Sequence, residues 1–386
     1  MKKKILNVLL VLILLTLSSC IYIKPSQAYS TDATISNKWF YIKNAYSGRY
    51  LDVYMGAAGN GVNVQQCQFN GNDNQQWFLF PQSDGTYVIG SKVGYTTSGG
   101  QMYINYALDV NGGDNGSNGV NIQIWSANSS NAQKFAITKS SKNNSTYAIR
   151  TGPSNYSRVV TVQNASCSDE GNVFQYDYNG SANDEWILEP VNKDLLLGSL
   201  YAINNYNKYV LAYPRLTQFE ESTADCANYA SQCLIVSGQY HYQNNWKVYR
   251  KNGSYSIPTT TEQLNNSWEL CQPATSPWVS AKEFANFWKS KRVTYKKGSE
   301  IINNPEEVWN IGIGIGDVIQ IAGSNIIGGL GSSWHTMYVS DIDYDNSTYI
   351  LSYHSNETKN KKLSDIVRIK KDEADYSKYY YVFFDM

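Results

Sequence analysis

Apolar and polar positions change rhythm three times along the chain. Residues 5 to 17 form one apolar run, broken only by Asn7 and Thr16 and preceded by Lys2, Lys3 and Lys4. The run is too short to cross a bilayer as a stable helix and has the form of an export signal. Two endings stay open. Leu17-Ser18-Ser19-Cys20 has the form of a lipobox, with Cys20 as a lipid-anchored N-terminus. Ser26-Gln27-Ala28, just after Pro25, offers the small residues of ordinary cleavage, so that residues 1 to 28 would be the signal peptide. Either ending places the protein outside the cytoplasm, secreted or anchored at the cell surface.

From residue 38 to 190, short stretches are punctuated by Gly, Asn and Ser without helical periodicity, which predicts an all-β domain. From about residue 195 longer periods begin. Tyr201 to Tyr213 reads as a helix ended by Pro214, after a connector from Val191 to Gly198. Cys226, Tyr229, Ala230, Cys233 and Leu234 fall at i, i+3, i+4, i+7 and i+8. They predict a helix capped by Ser222 or Thr223 and ended by Gly238. Ser280-x-x-Glu283 is a capping box ahead of Phe284, Phe287 and Trp288, and Asn304-Pro305 opens another helix. Val318 to Ile321, Thr336 to Ile342 and Tyr349 to His354 read as strands, giving an α+β order. Glycines 312, 314 and 316 lack the Gly-Lys-Ser/Thr sequence of a phosphate loop, which excludes nucleotide binding there.

The all-β segment repeats itself. Its first unit carries Tyr50-Leu51-Asp52-Val53, Gly61-Val62-Asn63-Val64-Gln65 and Gln75-Gln76-Trp77. The second carries Ala107-Leu108-Asp109-Val110, Gly119-Val120-Asn121-Ile122-Gln123 and Gln133-Lys134-Phe135. The third carries Val159-Val160-Thr161-Val162, Gly171-Asn172-Val173-Phe174-Gln175 and Asp184-Glu185-Trp186. The aromatics at 77, 135 and 186 are spaced by 58 and 51 residues, so three copies of one unit are expected to share a core.

These motifs resemble the ricin-type β-trefoil lectins, over residues 36 to 191. The resemblance implies up to three shallow sugar sites, each with an Asp, a stacking aromatic and a closing Asn or Gln. A carboxylate bonds strongly to paired hydroxyls, and an aromatic face offers rigid apolar area to a sugar ring. The second unit is best equipped, with Asp109, Gln123 and Trp125, and with Asn131 and Gln133 near the closing slot, although Ala132 stands where the family often has Asn. The first keeps Asp52, Gln65, Asn74 and Gln75 but has Cys67 in place of the aromatic. The third has Thr161 in place of Asp.

Composition narrows the function. Among 386 residues, 32 Lys and Arg balance 32 Asp and Glu, which excludes the basic field of a nucleic-acid binder. Loss of residues 1 to 28 would remove four lysines and leave a mildly acidic chain. Charged residues are 17% and aromatics 14%, which excludes disorder. No pair of His or Cys has a ligand spacing, so no metal or other cofactor is expected. Any imidazole chemistry must use His241, His335 or His354. His241 sits in the polar run Tyr240-His241-Tyr242-Gln243 and reads as a surface residue, and Cys233 reads as core.

Cys226 lies in the first turn of its helix, where the dipole favours thiolate. A thiolate also needs a base held in one tautomer by a third group. His335 heads one strand and His354 ends the next, so antiparallel pairing would bring them together. Here the chain resembles the papain-like cell-wall amidases and endopeptidases, most closely the amidase domains of Gram-positive secreted proteins, over residues 198 to 386. The matching pieces are Asp225-Cys226-Ala227-Asn228-Tyr229-Ala230-Ser231-Gln232-Cys233-Leu234, Gly316-Asp317-Val318-Ile319, His335 and Ser352-Tyr353-His354-Ser355. The resemblance implies Cys226 as nucleophile, His335 as general base and His354 as its orienting residue, with Asn356 as the alternative third residue. The Cys226 N–H would hold the oxyanion, with a side chain such as Gln218 as a further donor. The expected protein is an exported Cys-dependent amide hydrolase, directed to peptidoglycan or another glycan by a trefoil. The alternatives are a sugar-binding protein with an inert C-terminal domain and a cysteine protease acting on glycoproteins.

Overall fold

A computed structural model describes residues 29–386, apart from 99–100, 114, 217–224, 255–256, 271–275, 324–332, 355–356 and 372–378. The export signal with Cys20, and also Gln218, the predicted helix caps Ser222 and Thr223, Cys271 and Asn356, lie outside the described residues.

The N-terminal part is all-β. Its first long strand, Trp39–Asn44, pairs antiparallel with its last, Trp186–Pro190, and this pairing closes the domain. Trp77, Phe135 and Trp186 are fully buried in one core with Leu51, Leu108 and Val160. The Trp77 indole donates to the Leu51 carbonyl at 3.0 Å and the Trp186 indole to the Val160 carbonyl at 2.8 Å. Phe135 fills the corresponding place in the second unit without a donor. Truncating either buried Trp to Ala would cost about 3–5 kcal/mol.

The pseudo-threefold has a polar mark. The Asn63 amide donates to Asn172, Asn172 to Asn121, and Asn121 to Asn63, at 3.1, 3.0 and 2.8 Å. This closed ring of three asparagines fixes the register of the units, and it corrects the third. Asn172, not Val173, sits on the Asn63 position. Phe174 therefore faces Thr161 as Gln65 faces Asp52 and Gln123 faces Asp109. Gln175 takes the role of Gln66, each side-chain amide donating to two loop carbonyls.

The C-terminal part mixes helices with an antiparallel sheet. The sheet order is Arg292–Lys297, Tyr380–Phe384, Val318–Ala322, Ser333–Asp343, Thr348–Tyr353 and Thr358–Lys362. The helix expected over 201–213 runs instead from Leu195–Asn205, because Asp194 caps it by accepting the Leu197 N–H at 3.4 Å. It stops where the Asn205 side chain folds back on the Tyr201 carbonyl. The Cys226–Val236 helix is wholly buried, and Ser280 caps Ala281–Phe287 through the Glu283 N–H.

The two parts share a core in which Tyr41, Tyr50 and Ile187 pack with Tyr213, Tyr242 and Trp246. At its centre Lys43 and Glu189 form a 2.6 Å ion pair with both side chains fully buried. Tyr50 and Tyr213 donate to the Glu189 carboxylate, and the Lys43 ammonium lies 4.2 Å from the Tyr242 ring centroid. Burial lowers the Lys43 pKa to about 8 against the pull of Glu189. His241 also belongs here rather than at the surface. It packs on Tyr41 and Phe69, and burial lowers its pKa.

Candidate active site and sugar sites

Cys226 is the first residue of its helix and is fully buried. Its thiol meets the backbone and side chain of Thr336 and the backbone N–H of Ala227, contacts that favour thiolate. Burial outweighs them and raises its pKa, with the neighbouring Asp225 carboxylate adding to the rise. Burial thus works against the thiolate that the helix start was expected to favour, because desolvation penalises the charged form. Cys67, Cys167 and Cys233 are likewise free thiols.

Asp225 organises the surroundings. One carboxylate oxygen accepts the Asn228 amide at 2.6 Å and the Leu216 N–H at 3.4 Å. The other lies 2.6 Å from His354 Nδ1. Asn228 is fixed in turn by the Trp278 indole and the Pro214 carbonyl. His354 Nε2 lies 2.8 Å from the Asn205 carbonyl, and the ring packs 4.2 Å from Tyr229. His354 thus orients Asp225 and the start of the Cys226 helix, where the sequence reading had it orienting His335.

His335 is placed differently from expectation. Strand alternation sets Thr336 on the face of Gln320 and Tyr338, toward Cys226. It sets His335 on the opposite face, opposite Ile321 and 4.7 Å from the Tyr353 ring. The strand carries a bulge here, with Trp334 as the extra residue. The structure therefore brings together Cys226, Asp225, His354 and Thr336, and places the His335 backbone next to the thiol contact but its ring across the sheet. Thr336 is the neighbour that sequence reasoning missed; its place beside Tyr338 in the strand alternation was its signal.

The sugar-site residues are assembled as internal networks. Asp52 accepts from Gln65 at 3.4 Å, Asn74 at 2.6 Å and Gln75 at 3.0 Å, and burial raises its pKa to about 6. Asp109 accepts from Gln123 at 3.0 Å and Gln133 at 3.2 Å, and its pKa is also raised by burial. Gln133 further accepts the Asn128 N–H, so it shapes the turn as well. Asn131 opens the same short 3-10 turn. Trp125 is 39% exposed, as a stacking platform requires. In the third unit the acid has moved: Thr161 donates to Asp184 at 2.8 Å, and Asp184 occupies the place of Gln75. Tyr176 stands at the Trp125 position and is 44% exposed.

A family model described as "Ricin-type beta-trefoil lectin domain-like" matches residues 25–125, and one described as "Putative amidase domain" matches residues 192–380. The chain joins a ricin-type β-trefoil lectin domain to an amidase-family domain. The lectin match ends at residue 125, while the asparagine ring extends the same unit to Asn172. Among solved structures, the chain is similar to ThreeFoil, a designed threefold-symmetric protein, with 30% identity over 39% of this chain and 96% of that one (TM-score 0.34). It is similar to the Rhizoctonia solani agglutinin, with 21% identity over 41% and 98% (TM-score 0.34). It is also similar to the Macrolepiota procera ricin B-like lectin, solved in complex with lactose, with 14% identity over 40% and 95% (TM-score 0.31). The comparison with curated proteins gives no match.

Proposed function

We propose that the protein is an exported, Cys226-dependent hydrolase of amide bonds in peptidoglycan stem peptides, held on its polymer by the trefoil. The observation that carries this reading is the buried Asp225–His354 pair fixing the helix whose first residue is Cys226, within an amidase-family domain. In the reaction, the Cys226 thiol gives up its proton and its sulfur attacks the amide carbonyl carbon. The backbone N–H groups at the helix start receive the oxyanion. Collapse forms a thioester and expels the amine, which takes the proton; water then hydrolyses the thioester and regenerates the thiol.

His335 is the base in this scheme. His354 has both ring nitrogens engaged by acceptors, and His241 is packed at the domain junction. For His335 to act, the bulged strand start must turn its ring toward Cys226, a kind of re-aiming that bulges permit. The test is amine release from purified cell walls, with mass spectrometry of the products. Wild type should release amines and Cys226→Ala should not. Equal release by both would refute the proposal, and cleavage of glycoprotein but not cell wall would move the substrate.

A further inference from the structure

A cleft of about 660 Å³ lies between the third trefoil unit and the amidase domain. Asn183 and Ser181 line one side, and the segment Lys208–Leu211 lines the other. Its rim carries the exposed ammonium groups of Lys142 and Lys208, while Tyr46 and Tyr209 contribute half-buried rings. Glu185, the carboxylate among these lining residues, is already engaged: Ser140 and Tyr178 donate to one oxygen and Thr146 to the other. Lys142 donates to the Gly180 carbonyl but keeps its charge at the exposed rim beside Lys208, whereas the Glu185 charge is buried, so the charge that faces solvent at the cleft is positive. Arg250 lies over the Tyr46 ring and Arg215 over the Tyr209 ring. Polar side chains, aromatic rings backed by guanidinium groups and a cationic rim together suit a saccharide that bears a carboxylate.

The cleft is wired to the Cys226 region. The Asn205 carbonyl accepts both the Lys208 N–H, where the cleft wall begins, and His354 Nε2. Tyr209 packs 4.9 Å from the His354 ring. On the trefoil side, Asn143 donates to the Asn205 side chain at 2.9 Å and Ser145 accepts from it. We infer that this cleft is a saccharide subsite shared by both domains, taking a carboxylate-bearing sugar and aligning the polymer with Cys226. It is separate from the shallow site of Asp109 and Trp125, because its second wall belongs to the amidase domain. The alignment role rests on the proposed chemistry; the binding itself does not.

The test uses calorimetry on the full mature chain carrying Cys226→Ala and Trp125→Ala, so that neither turnover nor the second-unit platform contributes. The probes are a hyaluronan tetrasaccharide, which carries glucuronate, and the neutral chitotetraose. The acidic sugar should bind at least fivefold more tightly. Adding Lys142→Glu and Lys208→Glu should weaken it at least tenfold and leave chitotetraose unchanged, while Tyr209→Ala should weaken both. Both lysines are exposed, and an unchanged thermal midpoint will confirm folding. Equal affinity for the two sugars, no binding of either, or full acidic-sugar binding in the double-lysine variant would overturn the inference. Such a failure leaves the amide-cleavage reading intact, and inactivity of the wild type on cell walls leaves this binding measurement intact.

Discussion

His354 Nδ1 lies 2.6 Å from an Asp225 carboxylate oxygen, with both side chains almost wholly buried. This pair ties the end of the Thr348–Tyr353 strand to the residue before Cys226. Removing one partner leaves the other as an uncompensated buried polar group. His354→Ala should therefore lower unfolding free energy by about 3–5 kcal/mol, as expected for breaking a buried pair. Urea unfolding would check this, and a loss under 1 kcal/mol would show that the pair is not holding the helix.

The Cys226 thiol has its pKa raised by burial, so alkylation should be slow at neutral pH and still accelerating at pH 9, the ordinary thiol value. Iodoacetamide labelling read by peptide mapping separates Cys226 from Cys67, which is pushed up to about 11. A rate that levels off below pH 8 would mean that the thiol samples a far more polar setting.

His335 and His354 should separate by phenotype. His335→Ala removes a partly exposed ring, so stability should stay within about 1 kcal/mol while kcat falls by roughly 10²- to 10⁴-fold, the range of general base catalysis. Kinetics paired with thermal unfolding would decide. Full activity in His335→Ala would remove it from the mechanism.

Asp52 has its pKa raised from the usual carboxylate value to about 6. A raised folded-state value favours the protonated form, so this contribution to stability is complete below about pH 4 and is lost as pH rises through 6. Wild type should therefore lose stability relative to Asp52→Asn between pH 4 and 7, by an amount of order 1 kcal/mol. Parallel unfolding curves of the two proteins across that range would contradict the assignment. Sugar binding at the first unit, which needs the carboxylate, should move the opposite way and strengthen as pH rises.

Much of this architecture could be read along the chain because the relevant signals are local and repeated. The core aromatics and the asparagines recur at spacings of 58 and 51 residues, which a shared axis requires. The third unit slipped by one residue for a specific reason. Gly61 and Gly119 occupy positive-φ positions, and in the third unit Glu170 takes that backbone conformation at φ 61°. Gly171 beside it then drew the alignment. The position of Cys226 at a helix start followed from periodicity, but its surroundings did not. Whether His335 or Thr336 faces the helix depends on strand phase, and the bulge at Trp334 resets that phase. The Asp225–His354 contact joins residues 129 apart and leaves no local trace.

The Lys43–Glu189 pair has a mechanical consequence. Both partners belong to the trefoil, and Tyr213, Tyr242 and Trp246 of the other domain close over them, so the two domains meet through a shared core rather than as beads on a tether. Trp125 and Tyr176 stand exposed on two units of the trefoil, and Cys226 opens a buried helix in the other domain. Under the proposed function, that shared core would set cleavage of a regularly repeating polymer at a constant offset from the grip, and fragments would differ by whole repeats.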